Sequence, residues 1–298
     1  MLDILVNVIG PVFIIVGVVA LAGRRLEIDT RALSTAIVYL MGPALILDGI
    51  ANAALDAEAL AQVGAMAVGV ALIMGGIGWG VARVMGLSAP QESALIISLM
   101  LVNAANYGIP VNRFAFGDAA EDFAVVYYAL SATVVVAVAI FVGAQGKDGA
   151  RAALRQVLTV PLSYAGFIGL GLSLTDTALP LPIERAVGVL ADGAVPAMLV
   201  VLGLSLSRLR LDSDPRLVGV GVALRLIVGP VVALGLATLL GVDGLLRQVT
   251  VVQSSMPTAV LASVIVAEFG GDAPLTSAII LASTLVSILT LSVVIAVV

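Results

Sequence analysis

Two short runs hold the residues whose types and spacing could do chemistry. The first is Asn103-Ala-Ala-Asn106-Tyr107-Gly108-Ile109-Pro110; the second is Gln253-Ser254-Ser255-Met256-Pro257-Thr258. Proline removes a backbone donor and clashes with the preceding turn, and glycine loosens that turn further. A helix carrying either run is expected to unwind, the first around Gly108 and Pro110, the second around Pro257. Each interruption creates a new helix N-terminus, with free N–H groups and roughly half a positive charge. Asn103, Asn106, Ser254, Ser255 and Thr258 add uncharged polar groups, with Tyr107 beside them. Such an arrangement suits a small anion.

What is missing narrows the chemistry further. The chain has no histidine and no cysteine. A Ser-His-Asp triad, a histidine proton relay, a thiol nucleophile and a histidine- or thiolate-ligated metal are excluded. No cofactor or metal is expected, and no paired-aspartate or serine–lysine motif points to an enzyme. Any proton work falls to the 19 carboxylates.

These runs must be positioned by elements, and composition says what kind. Of 298 residues, 61% are hydrophobic, 31 are glycine and only 11% are charged, with a mean hydropathy of +1.20. Soluble domains carry roughly 25% charged residues, so this chain lacks the polar surface for a globule in water. A soluble enzyme, a nucleic-acid binder and a disordered scaffold are excluded, and a polytopic protein with the lipid bilayer as its partner remains. The net charge of −5 argues against a polybasic membrane-surface binder. The first apolar stretch has no basic segment before it, and Asp3 is its first charge, so it reads as a retained helix.

A crossing helix needs about 20 mostly apolar residues. Charged and turn-rich breaks give ten spans, at 4–23, 32–53, 59–82, 93–117, 122–144, 157–174, 183–206, 216–240, 247–268 and 274–297. The runs are continuous and do not alternate, which argues against a β-barrel. The predicted fold class is an all-α membrane protein of ten transmembrane helices. Ten of the 14 basic residues fall in odd-numbered connections: Arg24, Arg25, Arg31, Arg83, Lys147, Arg151, Arg155, Arg208, Arg210 and Arg216. The positive-inside rule makes that side cytoplasmic and places both termini outside.

Charges within the spans are costly and default to functional candidates. Asp48 lies in span two and Asp192 in span seven, and either could bind a coupling proton or sodium ion. The alternative is burial with a partner or at a dimer contact. Arg225, in span eight, either balances an anionic ligand or pairs with a carboxylate, and the pairing is favoured. Arg113 falls in the first turn after Pro110, against the helix dipole. A nearby anion and snorkelling to the outer interface are equal explanations. Asp118, Glu121, Asp122, Glu268 and Asp272 read as solvated turns.

The two halves of the chain look related. Pro11 pairs with Pro161, Pro43 with Pro196 and Pro110 with Pro257, at offsets of 150, 153 and 147 residues. Phe116-Gly117-Asp118-Ala119 is echoed by Phe269-Gly270-Gly271-Asp272-Ala273. Five spans per half make the halves insert in opposite senses, a 5+5 inverted repeat of residues 1–146 and 147–298, with spans four and nine broken and their new N-termini approaching the midplane from opposite sides.

The run Asn103-x-x-Asn106-x-Gly108-x-Pro110, followed by Phe116-Gly117, resembles the fourth-helix motif of the auxin efflux carrier family. Met256-Pro257, then Ala267-Glu268-Phe269 and Asp272, then Ser283-Thr284-Leu285, resembles that family's ninth and tenth helices. The resemblance implies a fold shared with bile acid–sodium symporters, in which spans 1, 2, 6 and 7 form a scaffold and spans 3–5 with 8–10 a mobile core. The crossed broken helices hold the substrate. It further implies a permease of the bacterial inner membrane, a secondary transporter of a small organic anion (a carboxylate such as malonate or an auxin-like acid) working by elevator-type alternating access. The substrate-binding candidates are then Asn103, Asn106, Tyr107, Gly108, Pro110, Arg113, Ser254, Ser255, Pro257 and Thr258. Asp48 and Asp192 are the coupling candidates, and a homodimer through the scaffold helices is compatible. A channel or receptor of the same fold and a sodium-coupled bile-acid-like symporter are the alternatives. Substrate identity, coupling ion, direction of transport and oligomeric state stay open.

Overall fold

Long apolar runs in lipid can satisfy their backbone polar groups only along their own axis. The computed structural model is correspondingly helical; it describes residues 1–23, 25, 28–52, 57–144, 147–159, 161–175 and 177–298. Among the described residues there is no strand, only an isolated antiparallel bridge between Val102 and Thr258.

Among the described residues, seven helices are long and apolar enough to cross a membrane. They are α1 (Leu2–Gly23), α2 (Thr30–Ile50), α3 (Glu58–Met85), α6 (Asp118–Gly143), α9 (Leu181–Arg208), α10 (Pro215–Leu239) and α13 (Ala273–Val297). The fourth expected span falls on two pieces. These are α4 (Ala89–Met100) and α5, which begins as a π-turn at Ala104–Gly108 and continues over Ile109–Phe116. The ninth does likewise, as α11 (Gly244–Ser254) and α12 (Leu261–Glu268). The sixth is shorter than its expected 157–174. It begins at Pro161 as α8 (Pro161–Leu174), and before it lies a separate helix, α7 (Lys147–Thr159). Arg151 and Arg155 stand four residues apart on α7 and so share one face.

Four prolines sit inside helical segments without ending them, for one shared reason. A π-turn precedes Pro11, Pro43, Pro110 and Pro230, and in each the residue just before the proline donates its N–H to a carbonyl five residues back. The wider turn moves the carbonyl that the proline ring would strike, so the ring is accommodated at the cost of one hydrogen bond. The unwinding expected at Gly108 and Pro110 is therefore corrected. Gly108 has helical backbone, with φ −67° and ψ −45°, and Pro110 lies in the first turn of Ile109–Phe116. The chain leaves helical conformation earlier, over residues 101–103. The break in span nine does contain Pro257, as expected.

The helices pack in two groups. α1, α2, α8 and α9 form one set, and α3, α4, α5, α6, α10, α11, α12 and α13 form the second. The groups meet where α2 and α8 pack on α6, where α9 reaches the π-turn of α5, and where the start of α1 meets α5 and α13. On that seam Val125 of α6 seats against Gly49 of α2.

Candidate functional site

Two interrupted helices in an apolar interior would each expose unpaired backbone groups, at a cost of several kcal/mol per group in a hydrocarbon environment. Here each break satisfies the other. Asn103 N–H donates to the Pro257 carbonyl at 2.8 Å, and Ala259 N–H to the Leu101 carbonyl at 2.9 Å. The two extended segments thus pair antiparallel across Val102 and Thr258. Side chains complete the junction. Thr258 Oγ1 donates to the Ser98 carbonyl at 2.8 Å, and Ser283 Oγ accepts from Thr258 N–H at 3.3 Å. Gln253 Nε2 donates to the carbonyls of Ala104 and Ala124, at 3.3 and 3.2 Å.

A cavity of about 370 Å³ ends at this junction. One wall comes from α2, α8 and α9, through Ile37, Leu162 and Met198; the other comes from the second helix group. The cavity reaches Ser34 at the start of α2 and Ser205 near the end of α9, close to Arg31 and Arg208. Its walls are mainly apolar. The polar groups among the lining residues are Asn103, Asn106, Arg225, the hydroxyls of Tyr127 and Tyr128, and three serines. Among the described residues no carboxylate lines it. Asn103 is 4% exposed, and its Nδ2 is a buried donor with no partner. The first turns of α5 and α12 also border the cavity, at Ala105, Asn106, Val260 and Leu261. N–H groups in a helix's first turn have no intrahelical acceptor.

The structure divides the expected site residues. Asn103 and Asn106 line the cavity together. Tyr107 is buried elsewhere, edge-on to Phe13 with ring centroids 5.6 Å apart, and its hydroxyl accepts from Ser287 Oγ at 3.3 Å. Gly108 faces Gln253: a Cβ there would lie 2.8 Å from Gln253 Cδ. Glycine is thus required by a close approach across the junction and not by an unwound backbone. Pro110 is buried one turn beyond the break. Ser254, Ser255, Pro257 and Thr258 form the junction itself. Ser254 Oγ meets the Tyr127 hydroxyl at 3.0 Å, and Ser255 Oγ donates to the Val251 carbonyl at 2.7 Å.

Four charged groups depart from expectation. Arg113 lies in the last turn of α5, where a cation complements the dipole, and pairs with Asp118 at 3.2 Å and Glu121 at 3.1 Å. Glu121 and Asp122 are half-buried on α6 and not in a solvated turn; Asp122 feels the charge of Asp48, and Glu121 that of Asp192. Arg225 has no carboxylate partner among the described residues. Its guanidinium donates to the carbonyls of Leu99, at 2.7 Å, and Ser254. Sequence reasoning left Gln253 unassigned and favoured a carboxylate partner for Arg225, where the structure gives two carbonyls. The polar side chain at Gln253, inside the second run, was the available signal.

The comparisons with known proteins agree on one class. A family model described as Membrane transport protein matches residues 149–295. An "Uncharacterized transporter" of Methanothermobacter thermautotrophicus is 29% identical over 271 residues, 89% of this chain and 88% of that one. A "Putative malonate transporter" of Rhizobium meliloti is 31% identical over 140 residues, 46% of this chain and 43% of that protein. An uncharacterized transporter of Methanocaldococcus jannaschii is 27% identical over 210 residues, 69% and 68% of the two chains.

Proposed function

We infer that the chain is a membrane transporter of the auxin efflux carrier family and, on that premise, a secondary carrier of a small organic carboxylate held at the paired breaks. The observation that carries the reading is the unpartnered amide of Asn103 at the end of an apolar cavity, beside two helix N-termini. Each N-terminus contributes roughly half a positive charge, and the low-dielectric surroundings screen it little. Amides add donors without fixed charge, which lets a carrier release its cargo. The name of the Rhizobium meliloti relative favours malonate as a first substrate to try.

Counted with α8 and the two interrupted helices, the seven long helices give ten crossings, arranged as two inverted halves of residues 1–146 and 147–298. Both termini lie outside a bacterial inner membrane, because the arginine-rich connections mark the cytoplasm. The cavity then opens inward, with the outer seam closed at Gly49 and Val125. The group of α1, α2, α8 and α9 is the scaffold. The other group carries the site past it, elevator fashion, with Asp48 and Asp192 as the coupling candidates.

The test is ligand binding to purified protein, read as a rise in Tm with a panel of mono- and dicarboxylates, since a ligand that binds only the folded state stabilises it. Asn103→Ala and Asn106→Ala each remove a charge-assisted hydrogen bond worth roughly 1.5–3 kcal/mol, so affinity falls by about ten- to a hundredfold. Val16→Ala, in the scaffold, leaves it near normal. Folded Asn103→Ala and Asn106→Ala proteins that bind with wild-type affinity place the substrate elsewhere and remove the reading's main support.

A further inference from the structure

Arg225 heads the described side chains fully withdrawn from solvent, by size, and it forms part of the cavity wall. Its two terminal nitrogens cap carbonyls in the last turns of α4 and α11, the half-helices that end at the breaks. Its Nε has no partner. Gly229, one turn on, makes room for it: a Cβ there would lie 3.0 Å from Arg225 Cζ. The planar fork reaches one carbonyl with each terminal nitrogen, a geometry that suits arginine.

Charge bookkeeping gives this placement a consequence. Four half-helix ends meet at the junction: the C-termini of α4 and α11, and the N-termini of α5 and α12. Each carries roughly half a charge, and as two negative and two positive ends they cancel. Among the described residues no carboxylate lines the cavity, so Arg225 supplies the net charge of the junction. We propose that Arg225 is the charge-selecting residue of the cavity: it neutralises the C-terminal ends and leaves the N-terminal potential at Asn103 and Asn106 unopposed, so that the site takes an anion and rejects its neutral isostere. This rests on the carboxylate reading of the site.

The experiment is titration calorimetry of purified full-length protein with malonate and with its neutral diamide, malonamide. Wild type prefers malonate. In Arg225→Met and Arg225→Gln the malonate affinity falls by roughly tenfold or more, toward that of malonamide, while malonamide binding is unchanged. Arg225→Lys, which keeps the charge, keeps part of the preference. A purely structural role lowers both ligands together and leaves their ratio alone. If folded Arg225→Met or Arg225→Gln protein keeps the wild-type ratio, the proposal is overturned while the carboxylate site stands. If neither neutral variant folds, Arg225 is a folding residue and the proposal likewise falls. A wild type that does not prefer malonate defeats the proposal and removes malonate from the underlying reading; in that case the Asn103→Ala and Asn106→Ala measurements with other carboxylates decide the site separately.

Discussion

Gly108 and Gln253 come from opposite halves of the chain, and each makes sense only beside the other. Gln253 bridges two carbonyls across the junction and occupies the space a side chain at position 108 would need. A similar lesson applies to the acidic residues. Asp48 and Asp192 stand on α2 and α9, and the carboxylates that feel them, Asp122 and Glu121, stand on α6 of the other group. Asp118 adds to the same field, and Arg113 offsets part of it. Like charges near one another repel, and a bound proton or sodium ion would relieve the repulsion. Asp48→Asn or Asp192→Asn should therefore weaken the pH or sodium dependence of uptake. Unchanged dependence in both variants removes these residues from coupling. Asn103 and Asn106 were legible as candidates because a polar amide in an apolar run has few other uses, and the structure places both on the cavity wall. The role of Arg225 was not legible: its acceptors are carbonyls of Leu99 and Ser254, and carbonyls leave no mark in a sequence.

At the scale of elements, span positions followed from hydropathy, but the fourth helix breaks where no proline stands. Leu101–Asn103 leaves helical form because the extended segment around Pro257 offers it hydrogen bonds. That partner lies about half the chain away, beyond the reach of any local rule. Pro110, the apparent breaker, is absorbed by a π-turn. Topology is the element-scale claim most open to test. Single cysteines at Asp148, near the start of α7, and at Asp212, between α9 and α10, can be challenged with an impermeant maleimide in sealed right-side-out vesicles. Both sites should stay unlabelled until the membrane is permeabilised. Labelling of either from outside contradicts a cytoplasmic placement of these connections.

At the scale of the whole molecule, two helix groups enclose a cavity between them, and the site belongs mainly to one group. The junction gives the two broken helices shared hydrogen bonds, so they are held to move together. Sliding one group along the other would expose the same site to the opposite side without remaking it, which is what a carrier needs and a channel does not. The central claim is tested most directly by counterflow in proteoliposomes. The account predicts saturable uptake of a labelled small carboxylate that is accelerated when the same carboxylate, unlabelled, is trapped inside. Ion conductance without counterflow, or uptake no faster than in protein-free liposomes across the carboxylate panel, would contradict it.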